Sequence, residues 1–125
     1  MLERYEVTGT EETLGVILDQ TEGRFEFSGK SLPENANEFF EKIFTWLQTY
    51  SNKPNKKTDI VFKVDYFNSS SSRKFVEVLM LLEEAISNGN QVSVKWYSQK
   101  NDEMIEDRGK ELSEVLDIPF EFLNY

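Results

Sequence analysis

The sequence predicts a mixed α/β fold in which a β-sheet is flanked by about three helices. Two observations lead there. Short runs of alternating apolar residues separated by turn residues open the chain, and a strand, a helix and a second strand follow in its middle. The first pattern makes an antiparallel hairpin. The second calls for a right-handed crossover between parallel strands, so the sheet is mixed.

Near the N-terminus, "LERYEV" and "TLGVILD" have strand spacing, with Leu14, Val16 and Leu18 alternating in the second. After "QTEG" comes "RFEFS", where Phe25 and Phe27 share one face and Arg24, Glu26 and Ser28 the other. The period then changes in "GKSLPENANEFFEKIFTWLQTYSN": Asn35 is placed to cap a helix, with Glu38 completing a capping box. Phe40, Ile43, Phe44 and Leu47 form its inward stripe, and Phe39, Trp46 and Tyr50 widen the apolar face.

"SNKPNKKTD" reads as an ordinary loop. In "IVFKVDYF", Ile60, Phe62, Val64 and Tyr66 fall on one face and Val61, Lys63, Asp65 and Phe67 on the other, a strand covered fully on one side and partly on its second. Helical spacing then joins Phe75, Val78, Leu79, Leu82, Ala85 and Ile86, and Gly89 in "SNGN" is placed as the C-cap. The strand "QVSVKWY" puts Val92, Val94 and Trp96 inward. "NDEMIEDRGKELSEVLD" reads as a last helix with Ile105, Leu112, Val115 and Leu116 inward and Gly109 as a weak point, and "IPFEFLNY" as a short final strand.

A length of 125 residues suits one domain, so residues 1–125 are expected to form a single unit. With 38% hydrophobic and 14% aromatic residues, the chain can bury a core without disulfides or metal. There is no run of about 18 apolar residues, and the start lacks the basic and apolar regions of a signal peptide. A cytoplasmic location without membrane insertion is expected. A net charge of −9 argues against nucleic acid as partner, because phosphate backbones are bound by Lys and Arg. A protein surface suits it better.

Zero Cys and zero His exclude thiolate chemistry and remove the commonest general base and zinc ligand. No nucleotide-binding glycine loop and no nucleophile elbow is present, so neither a cofactor nor a metal is expected, and the chain does not read as an enzyme. The one catalytic alternative is a small carboxylate enzyme built on Asp102, Glu103, Glu106 and Asp107. It requires a shared concave site.

The serine run in "VDYFNSSSSRKF" has a stronger physical basis. It lies where a buried strand ends and a helix begins, so unpaired backbone N–H groups and the helix macrodipole favour an anion there. Asn68, Ser69 and Ser70 are all suitable N-caps, yet one cap needs only one such side chain. A phosphate would add about −1.5 to −2 charges beside those donors, Arg73 and Lys74, and would change the surface without requiring the fold to change.

"YFNSSSSRKF" resembles the Tyr-Phe/Leu-Asn-Thr/Ser-Ser-Ser segment of the SiaC family of bacterial regulatory phosphoproteins. "GKSLPENANEFFEKIFTWL" and "VSVKWYSQKNDEMIEDRGKELSE" are similar to two further segments of that family, in the same order. Leu32 stands where the family has Tyr. The resemblance implies a STAS-like, anti-anti-sigma-like domain whose phosphoacceptor follows the Asn, here Ser69, with Ser70 as runner-up.

It further implies a cognate Ser/Thr protein kinase, a PP2C-type phosphatase and an effector bound by the unmodified form, for characterised members a diguanylate cyclase acting in c-di-GMP and biofilm control. Tyr66, Phe67, Asn68, Ser70, Ser71, Arg73 and Lys74 would form the surrounding loop and partner surface. A sigma-factor regulator that binds an anti-sigma kinase is the alternative within the same fold.

Overall fold

The structure, a computed structural model, describes residues 2–87 and 89–125, with the side chains of residues 85–87 outside the description. One six-stranded sheet follows chain order: β1 (Tyr5–Val7), β2 (Gly15–Asp19), β3 (Arg24–Ser31), β4 (Lys57–Phe67), β5 (Gln91–Ser98) and β6 (Phe120–Asn124). β1, β2 and β3 pair antiparallel, and β3 to β6 pair parallel. Helices α1 (Ala36–Asn52), α2 (Ser69–Ser87) and α3 (Glu103–Glu114) make the three crossovers. The expected hairpin, crossover and final strand are all present, and the first strand is shorter than "LERYEV".

In-register neighbours of a sheet share a face. Phe27 therefore lies with Phe62, Trp96 and Phe122 on one side, and Phe25 with Ile60, Val94 and Phe120. α1 reaches this face through Trp46 and Tyr50, whose rings lie 6.1 and 5.0 Å from that of Phe25. α2 reaches it through Phe75, 5.1 Å from Phe62, and α3 through Ile105, whose carbonyl accepts from Trp96 Nε1 at 2.9 Å. All three helices thus cover one face. The other carries the row Ile17, Glu26, Val61, Lys95 and Glu121, half-buried to exposed.

Asn35 caps α1, its side chain accepting from the Glu38 N–H at 3.1 Å, which is the first half of the expected capping box. The broad apolar face of α1 is confirmed by Trp46 and Tyr50, both buried, with Trp46 Nε1 donating to the Glu3 carbonyl at 2.8 Å. Phe44, expected inward, is half-buried at the rim. The inward positions expected for Ala85 and Ile86 lie outside the described residues. Gly89 has φ +88°, the left-handed value that suits the expected cap.

Three expectations are corrected. Gly29 pairs with Val64 but Lys30 with Tyr66, so Asp65 is an extra residue in β4 and the alternation inverts beyond it. Tyr66 is consequently 48% exposed and Phe67 is buried, the reverse of strict alternation. Val115 is 67% exposed because α3 ends at Glu114 and Val115 is its C-cap. Gly109 is a contact point, since a Cβ there would run into the Trp96 indole. No helix among the described residues is long and apolar enough to cross a membrane.

Adding that Cβ in Gly109→Ala forces the buried indole or α3 to shift, and is expected to cost about 1–3 kcal/mol in urea unfolding. A pH dependence follows from Asp19. Its carboxylate accepts from the Glu22 N–H at 2.9 Å and from Arg4 at 3.0 Å. The Glu22 bond first, and Arg4 after it, hold the Asp19 carboxyl below the usual carboxylate range. Ionised Asp19 therefore stabilises the fold fully above the ordinary carboxylate pKa, and this contribution is lost as pH falls through the lowered one. Acid titration of stability should be shallower in Asp19→Asn than in the parent.

Candidate functional site

The inverted end of β4 sets out the start of α2. Phe67 turns inward, its ring 5.1 Å from Phe75 and 5.9 Å from Trp96, with the Arg108 guanidinium 4.3 Å from its centroid. Asn68 follows at once as the cap: its side chain accepts from the Ser71 N–H at 2.9 Å and its carbonyl from the Ser72 N–H at 3.0 Å. Asn68 N–H in turn donates to the Ser31 carbonyl at 3.3 Å, which fastens the turn to the end of β3.

The four serines consequently have different surroundings. Ser69 and Ser70, in the first turn, are exposed, and Ser72 is half-buried. Ser71 is fully buried, with its Oγ 2.7 Å from Ser31 Oγ and 2.8 Å from the Ser31 carbonyl. Ser70 lines a depression of about 400 Å³ shared with Arg73, Lys74, the start of α1 at Asn35, Ala36 and Asn37, and two carboxylates, Glu34 and Glu77. Two helix N-termini meet there. The helix N–H groups and Arg73 favour an anion on the serine row, and Glu34 and Glu77 oppose it.

Of the expected partner surface, Tyr66, Ser70 and Arg73 are exposed and Asn68 is half-buried. Phe67 and Ser71 are not surface: the bulge turns the first into the core, and the helical turn directs the second at Ser31. Lys74 lies along the helix, its Nζ 3.2 Å from Glu77 and 5.5 Å from the Phe44 ring centroid. It is engaged toward α1, leaving Arg73 as the exposed cation of the pair. Ser31 and Arg108 were not among the expected residues of this turn, because both approach it from elements distant in sequence.

The acidic segment behaves differently. Asp102 caps α3 through the Ile105 N–H at 3.2 Å, and Glu103 and Asp107 are exposed. No group of three or more acidic side chains converges in a way that could hold a metal among the described residues. These carboxylates lie along one helix, with Asp102 as its cap, Glu106 half-buried and Glu103 and Asp107 toward solvent.

Residues 7–125 match the SiaC family regulatory phosphoprotein group. The chain belongs to the SiaC family. Among solved structures, SiaC of Pseudomonas aeruginosa has a TM-score of 0.89 at 26% identity, covering 99% of this chain and 100% of that one. A chain in the crystal structure of the diguanylate cyclase SiaD in complex with its activator SiaC, from the same organism, also reaches 0.89, at 27% identity over 97% of this chain and 99% of that chain. An uncharacterized protein of Pseudomonas aeruginosa strain UCBPP-PA14 is 29% identical over 114 residues, 91% of this chain and 90% of the relative. The SiaC likeness thus extends over nearly the whole sheet and its helices, including the start of α2.

Removing the cap in Asn68→Ala should lower stability by about 0.5–2 kcal/mol and speed amide exchange at Ser71, read by chemical denaturation and hydrogen exchange.

Proposed function

We propose that residues 1–125 act as one non-catalytic regulatory domain, switched by reversible phosphorylation of Ser69 in the cytoplasm. The observation that carries this reading is the contrast along the serine row: Ser69, the serine after Asn68 as in the SiaC segment, is exposed with Ser70 at the first turn of α2, on a backbone held by Asn68 and by the buried Ser71. A kinase reaches the one while the fold retains the other. In the transfer, Ser69 Oγ bonds to the γ-phosphorus of a nucleoside triphosphate as the bridging P–O bond to the diphosphate breaks, and the hydroxyl proton passes to a base of the kinase. A PP2C-type phosphatase reverses the modification.

The unmodified form binds and activates an effector, a diguanylate cyclase by analogy with the complex of SiaD and its activator SiaC. The binding surface is the start of α2 with Tyr66, Ser70 and Arg73 around it. The phosphate is a strongly hydrated dianion that helix N–H groups tolerate, so the domain stays folded while the partner meets a desolvation cost and repulsion of its own acidic or apolar groups.

Mass spectrometry after incubation with the cognate kinase should place one phosphate on Ser69. Equal stoichiometry in Ser69→Ala would move the assignment to Ser70. A pull-down comparing the parent with Ser69→Asp, read by cyclase activity of the bound fraction, should recover the cyclase with the parent alone; equal recovery by both would contradict the switch.

A further inference from the structure

We infer that Ser31 and Ser71 are positioning residues for this phosphoryl transfer, a buried hydroxyl lock that determines which serines of the row stand outside. The inference rests on the reading of Ser69 as acceptor. Ser31 closes β3 and is 1% exposed; Ser71, 40 residues later, is 0% exposed. A buried hydroxyl left without a partner is costly, and here both are satisfied by each other.

The hydrogen bonds have a defined direction. Ser71 has one hydroxyl proton, and with that proton on the Ser31 carbonyl at 2.8 Å the Ser31 hydroxyl donates across the 2.7 Å contact to Ser71 Oγ. The Ser31 carbonyl accepts a second donor, the Asn68 N–H at 3.3 Å. The end of β3 therefore grips the first turn of α2 at two points, one before the helix and one inside it.

Capping does not require this. The cap bond runs from the Ser71 backbone N–H to Asn68, and any residue other than proline supplies that N–H. The side-chain hydroxyl of Ser71 does something else: one turn before the buried Phe75, it ties the first turn of α2 to the end of β3. Successive residues of a helix are offset by about 100°, so a turn locked with Ser71 inward turns Ser70 and Ser69 away from the sheet. Both are exposed as this requires. A first turn free to rotate would offer Ser72 or Ser70 in place of Ser69, and transfer is sensitive to placement of the attacking oxygen.

The test uses the full chain, its cognate kinase and radiolabelled ATP, with Ser71→Ala, Ser31→Ala and the double variant. The double variant removes both hydroxyls, so no buried hydroxyl of the pair is orphaned and the fold is expected to persist, checked by circular dichroism. Turnover should fall about tenfold or more in the folded double variant while KM changes less than about twofold, since positioning acts on the transition state. Peptide mapping should show phosphate spreading from Ser69 to Ser70 and Ser72, a change that lower stability alone would not produce. A folded double variant phosphorylated on Ser69 alone at the parent rate would overturn the lock. Full phosphorylation of Ser69→Ala would instead overturn the acceptor assignment, so the two failures are distinct.

Discussion

Between Val64 and Tyr66, β4 contains one residue more than its neighbour β3, and the geometry beyond that point depends on it. The bulge inverts which side chains face the helices. Phe67 enters the core against Phe75 and Trp96, where Arg108 covers its ring. With Phe67 anchored, Asn68 lies within reach of both the Ser31 carbonyl and the Ser71 N–H, and α2 starts at the next residue. A β4 in strict alternation would bury Tyr66 and expose Phe67, losing that anchor.

The aromatic core makes the placement rigid. Phe75 contacts the rings of Phe40, Phe62 and Phe67, joining α1, α2 and the end of β4 through one side chain. Trp96 extends the cluster to α3, accepting close approach at Gly109 and donating to the Ile105 carbonyl. Such packed interiors resist small displacements, so a modification at the surface of α2 alters what the surface presents more than it alters the frame. That division suits the switch proposed above, in which the frame stays constant while one exposed turn is modified.

The elements themselves were legible in the sequence because their periods are strong. Alternation marked β2, β3 and β5, a wide apolar stripe marked α1, Asn35 announced one helix start as its cap, and Asn68, Ser69 and Ser70 together marked another, where the structure selects Asn68. Three of the readings that failed involve departures from a period. Tyr66 and Phe67 exchanged faces at the bulge, Val115 fell beyond the last turn of α3, and Gly109 reads as a weak helix residue until the indole above it is seen.

Sequence by itself determined the class of fold, the absence of His and Cys chemistry, and a serine row at a helix start, since these follow from composition and local periodicity. It could not tell one serine from the next, because four identical side chains in a row carry no local distinction. Only the tertiary structure separated them. The end of β3, distant in sequence, brings Ser31 against Ser71 and leaves Ser69 and Ser70 to solvent. The physical reason is that burial and hydrogen-bond partners are set by which elements meet, and a bulge and a crossover decide that meeting here.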